Sequence, residues 1–136
     1  TAATIEDSFW GQLSFDEALD WYETIKDGTK FSFTTTLVEQ LAENLRKTEK
    51  LLGSLSEVEG KMIDEMIPLK NQNWLEDEEK ELSGSQFQKE IQLYSITINK
   101  DGSAELYYKA NNLFWGHEIK TSISNNHHYK SSTLIG

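Results

Sequence analysis

Three consecutive residues, Trp115, Gly116 and His117, offer the chain's best material for chemistry. If residues 113–124 form one long strand, period-two alternation puts His117 on one face with Trp115, Ile119, Thr121 and Ile123. A neutral imidazole in that position could exchange one hydrogen bond, ligate a metal or act as a base. Catalysis would also need a carboxylate or hydroxyl within about 3 Å of the ring, and the sequence does not place one there. The plainer alternative is a core histidine bonded to backbone, with Gly116 letting a tryptophan ring or a neighbouring chain approach closely. A small-molecule site, if the chain has one, would centre on Trp115 and His117, with Trp10, Trp21 and Trp74 as its walls.

Other polar groups are weaker candidates. His127 and His128 are adjacent in a predicted turn, and strand neighbours point to opposite faces, so they chelate one ion poorly. Glu76, Asp77, Glu78, Glu79 and Glu81 form an acidic run that suits a basic docking partner. As a calcium loop it lacks alternating ligands and a glycine bend, and a solvated loop explains it as well. Asp16, Glu17, Asp20 and Glu23 make a second acidic cluster. Glu23 shares a predicted strand face with Trp21, and a carboxyl beside an apolar ring is a candidate for general-acid work. A rim residue on an edge is the simpler reading. Nucleophile elbows, phosphate-cradling loops and dinucleotide fingerprints are all missing from the sequence. There is no cysteine, which excludes disulfides, thiolate metal sites and a cysteine nucleophile. The expectation is therefore a protein without a cofactor and, on balance, not an enzyme.

The elements that must position these residues read as α+β. Phe9, Gly11, Leu13 and Phe15 alternate in a first strand, and Leu19, Trp21, Glu23 and Ile25 share a face of a second. Asp27-Gly28 predicts a hairpin into a short strand over 31–33, completing a three-stranded meander. Leu37, Val38, Leu41, Leu45, Thr48 and Leu52 recur at helical spacing, and Gly53 is a natural stop. Ser56 to Glu59 has capping-box spacing and opens a second helix with Val58, Met62, Ile63 and Met66 inward. Pro68 is expected to close it, leaving 70–73 as a polar connection. A further capping box, Ser83 to Gln86, predicts a short third helix held by Phe87 and Ile91. Strands over 93–99, 104–108, 113–124 and 129–135 then give a four-stranded antiparallel meander. The expected architecture is two antiparallel meanders flanking a central block of two to three helices, in one domain over 1–136.

From residue 73 onward the pattern resembles a known family. Asn73-Trp74, the acidic stretch, Leu82-Ser83, Phe87, Leu93, Ser95-Ile96 and Asp101-Gly102-Ser103 form an ordered series. It ends in the Leu-Phe-Trp-Gly-His run over 113–117, followed by Ile119. Gly11, the run from Asp20 to Glu23 and the closing Leu134-Ile135-Gly136 fit as well. The series is similar to the bacterial family of uncharacterised domains numbered two-two-six-two among domains of unknown function. The departure lies over 125–130, where Asn125-Asn-His-His128 replaces the acidic-glycine turn of that pattern. The resemblance implies a fold and carries no activity with it.

Composition narrows the partners. The 136 residues include 23 Asp and Glu against 13 Lys and Arg, for a net charge of −10. That charge repels a phosphate backbone and anionic lipid alike, so neither nucleic acid nor a membrane is an expected partner. Charge of this sign steers a basic protein towards the surface, though it also serves simple solubility. No apolar run is long enough to span a bilayer. The missing cysteine fits a reducing compartment, so a cytoplasmic location is expected, while Thr1 in place of a methionine points to a processed or truncated chain. The leading expectation is a non-catalytic module that binds a basic protein, for example an immunity-type protein neutralising a basic toxin. The alternative is a small-ligand receptor or enzyme built on His117 and the tryptophans.

Overall fold

The computed structural model describes residues 4–136. Its strands are β1 (Thr4–Asp7), β2 (Gly11–Asp16), β3 (Trp21–Lys26), β4 (Thr29–Phe33), β5 (Gln92–Ile98), β6 (Ala104–Lys109), β7 (Glu118–Ile123) and β8 (Tyr129–Ile135). Between β4 and β5 lie α1 (Val38–Leu52), α2 (Leu55–Asn73) and α3 (Gly84–Glu90). All eight strands join one sheet in sequence order, β1 to β8. Every pair is antiparallel except β4 and β5, which run parallel because the helices carry the chain back across the sheet. The fold is thus α+β, but the two expected meanders are halves of a single sheet. The N-terminal half has four strands rather than three, because Thr4–Asp7 pairs with β2.

Hairpin chemistry explains the tightest turn. Lys26 faces Thr29, and the two residues between them, Asp27 and Gly28, have φ of 52° and 80°. Positive φ at both central positions matches the right-handed twist of the flanking strands. Phe9 lies in the turn between β1 and β2, outside the strand predicted for it, where Asp7 accepts hydrogen bonds from the Phe9 and Trp10 amides. Leu19 likewise sits in an exposed turn before β3.

One sheet face is apolar. Leu13, Phe31, Phe33, Ile96, Leu106, Tyr108 and Ile119 alternate along their strands and are buried, together with the inward sides of α1 and α2. Trp10 lies edge-on to Phe31 and Phe33, with ring centroids 4.7 and 5.7 Å away, and its indole donates to the Leu45 carbonyl of α1 at 3.1 Å. Such aromatic pairs add about 1 kcal/mol each beyond the area they bury. The opposite face is polar. Glu23, Ser32, Thr97, Glu105 and Ser122 follow one another across β3 to β7 in a single row.

The helices depart from expectation at their ends. Leu37 and Val38 are exposed, and the buried stripe of α1 begins at Leu41. Ser54, not Ser56, is the N-cap of α2, and its side chain makes no capping bond. Pro68 does not end α2, which continues to Asn73. Pro68 and Asp64, whose carbonyl loses its helical partner, both face solvent, so water can satisfy that oxygen. Met66 and Lys70 on the inner side stay buried and hold the helix together beyond the proline. The capping box at Ser83 and Gln86 forms as predicted and starts α3.

The largest correction is at the candidate site. β7 starts at Glu118, and residues 111–116 form consecutive turns. Ile119, Thr121 and Ile123 do share the buried face, but Trp115 and His117 lie outside the strand.

A candidate aromatic site at the end of helix two

The site begins at the last turn of α2. Lys70 is 1% exposed, and its ammonium donates to the Trp74 carbonyl at 2.8 Å and to Glu79 Oε1 at 3.0 Å. The same Glu79 oxygen accepts from the Glu76 amide, so the acidic run folds back on itself. Together with the Lys70 ammonium, that amide holds the Glu79 carboxyl below the usual carboxylate range. Asn71 closes the far end of the loop, donating to the Leu82 carbonyl and accepting from its amide. Residues 74–82 are therefore tied to α2 at both ends, with most of the acidic side chains turned outward.

Trp74 caps α2 and is half-buried. Its ring meets Phe114, Trp115 and His117 edge-on, with centroids 5.8, 4.8 and 5.6 Å away. The turns over 111–116 make this possible. Leu113 and Phe114 point into the core, whereas Trp115 stands 54% exposed. That reversal requires left-handed backbone at Trp115 (φ 54°) and Gly116 (φ 93°). A tryptophan adopts this conformation at a cost of about 1–2 kcal/mol, which the surrounding packing must offset. His117 is half-buried and borders two shallow hollows. One, of about 270 Å³, includes Trp74 and the chain end at 134–136; the other, of about 210 Å³, includes Lys109, Asn111 and Glu118.

His117 is thus not a sealed core residue, and among the described residues its ring makes no hydrogen bond to a carboxylate. The carboxylate next to it in sequence, Glu118, accepts a hydrogen bond from the Tyr94 hydroxyl instead. Burial and that carboxylate push the Tyr94 phenol up to about 12. Among the described residues no cluster of three or more His, Asp or Glu side chains could hold a metal ion. What the site offers is a partly exposed aromatic step followed by an acidic loop.

Trp21 and Glu23 lie elsewhere. They sit on the outer face of β3, four strands from β7 in the sheet order. The Trp21 indole donates to Glu23 Oε2 at 3.0 Å, and the Lys30 ammonium lies 3.1 Å from the same oxygen and 5.6 Å from the Trp21 ring centre. Glu23 is therefore engaged as an acceptor between two donors, on an interior strand rather than an edge. The surrounding hollow, about 430 Å³, is lined by Gln12, Ser14, Ile25 and Lys30. Trp10, expected as a wall, is in the core. Of the tryptophans named from sequence, only Trp74 joins Trp115 and His117.

With that geometry established, comparison places the chain. Residues 7–134 match the family described as an uncharacterised protein conserved in bacteria, DUF2262. The chain belongs to this family. The match takes in β2 to β7, all three helices and every residue of the aromatic site. No curated protein and no solved structure matches the chain. No helix of this DUF2262 domain is long and apolar enough to cross a membrane among the described residues.

Sequence reading of the DUF2262 domain missed Lys70 and Asn71, the residues that build the site's frame. A signal was present, because Met62, Met66 and Lys70 are four apart and share a helix face. Taking Pro68 as a stop concealed it.

Proposed function

We propose that this domain is a non-catalytic protein-binding module that takes a basic partner on the Trp74–Trp115–His117 step. One observation carries the reading: Trp115 is 54% exposed on strained left-handed backbone and braced against Trp74. A rigid, half-exposed tryptophan is the kind of anchor that dominates binding energy at interfaces. The acidic run at 76–81 lies directly after Trp74 in the loop pinned by Lys70, and the net charge of −10 favours a cationic partner. Charge of this kind mainly speeds encounter, while the desolvated aromatic slows release. Neutralising a basic toxin is one form such a role takes. The small-ligand alternative is weakened because Trp10 and Trp21 do not converge on His117.

Random peptide display against the immobilised domain tests this reading. Enriched peptides should be rich in Lys and Arg, and Trp115→Ala should weaken their binding about tenfold or more, or roughly 1.4 kcal/mol. Neutral or acidic peptides, or binding indifferent to Trp115→Ala, would overturn it.

A further inference from the structure

The second inference concerns another part of the molecule and does not depend on the aromatic step. Where the α1–α2 junction meets the turn between β7 and β8, a hollow of about 270 Å³ is lined by Lys50, Lys61, His127 and His128, with Ser54 and Asn126 between them. Two of the chain's 3 histidines and two of its lysines thus converge on one depression of a strongly acidic protein. Like charges gathered this way repel unless an anion joins them, and a surplus of carboxylates was available to neutralise them. The carboxylate that lines the hollow, Glu57, is 75% exposed and reaches Lys61 at 4.0 Å. His127 stands on left-handed backbone, φ 64°, and lines the hollow together with residues of both helices. Its imidazole is biased towards the neutral form by burial and by the charges of Lys47, His128 and Lys50. An added anion would reverse that bias. The Ser54 hydroxyl is also free of any capping bond at the start of α2.

We propose that this hollow is a binding site for a phosphate-sized oxyanion, held by Lys50, Lys61 and the imidazoles of His127 and His128. Paired ammonium and imidazolium donors around a hydroxyl suit the several acceptor oxygens of a phosphate group. Binding should tighten as the pH falls and the His127 imidazole takes up a proton. The titratable groups around His127 that bear on this dependence are Lys47 and Lys50 of α1, Glu57 and Lys61 of α2, His128 of its own turn and Tyr129 of β8. Lys47 is shared with Glu43 at 3.5 Å.

Inorganic phosphate is the probe. Titrated into the folded domain at mildly acidic pH, it should produce saturable amide shifts at Ser54, Glu57, His127 and His128 by heteronuclear NMR. It should also raise the titration midpoint of the His127 ring. Lys50→Gln with His127→Gln should abolish saturation, and Lys50→Arg should restore most of it; unchanged dispersion elsewhere in the spectrum reports that each variant is folded. Acetate at equal ionic strength separates a phosphate site from a general anion site: comparable saturation by acetate would overturn the phosphate assignment. Shifts that stay linear in phosphate, or persist in the double variant, would overturn the site itself.

Discussion

Lys70 and Glu79 form an ion pair of 3.0 Å in which the ammonium is almost completely enclosed while the carboxylate still touches solvent. The pair joins the last inward turn of α2 to the middle of the acidic loop, and its ammonium also holds the Trp74 carbonyl. Position and charge of the candidate site therefore depend on one lysine that makes no part of its surface.

Lys70→Met tests that dependence. Methionine keeps most of the buried stem but leaves the Trp74 carbonyl and Glu79 without their donor. The expected loss is about 1–3 kcal/mol, the usual contribution of hydrogen bonds from a charged group, read from urea denaturation. Tryptophan emission should also shift to the red as Trp74 loosens. A variant of unchanged stability and spectrum would show that the loop is held by other contacts.

Acid should weaken the fold through a small set of carboxylates. Glu79 is held low first by the Glu76 amide and then by Lys70. Asp101 is held low by the Ser103 hydroxyl and amide. At Asp7 burial acts upward, but the Trp10 amide, Arg46 and the Phe9 amide outweigh it. A folded value below the unfolded one means the stabilisation is complete above the unfolded value, 4.5 for Glu and 3.8 for Asp. It is lost as the pH falls through the lower folded values. Urea midpoints should therefore decline gently below about pH 6.5, where the lowered His127 lets the unfolded chain take up its proton first, and fall steeply below about pH 4, with a shallower steep limb in Glu79→Gln and Asp7→Asn. A slope unaffected by either change would contradict this assignment.

Tyr108→Phe should not harm the protein. The Tyr108 ring is fully enclosed, and among the described residues its hydroxyl makes no hydrogen bond of good geometry, although Glu59 is close enough to act on it. Burial, with the charge of Glu59 adding to it, keeps the phenol protonated well above its ordinary range. Removing an orphaned buried hydroxyl should leave stability unchanged or raise it by about 1 kcal/mol. A loss greater than that in thermal melting would mean the hydroxyl is bonded in solution, with Glu59 the nearest candidate.

Local rules in the sequence determined a good deal of this chain. Alternation in β6, the paired positive-φ residues at Asp27-Gly28 and the capping box at Ser83 each depend on neighbours within a few residues, and each formed as read. Other features depended on contacts distant in sequence. Thr4–Asp7 is a strand because β2 offers it an edge, and β4 meets β5 in parallel because three helices fill the span between them. Pro68 is tolerated because its side of α2 faces water while Met66 and Lys70 pack on the other. Trp115 leaves the expected strand because Phe114 claims the core and Trp74 waits outside it. Residue type and spacing singled out Trp74, Trp115 and His117, but only the tertiary fold could bring them together and leave Trp21 and Glu23 four strands away. Alternation describes a strand already formed; where a strand starts is decided by packing energies summed over the whole domain.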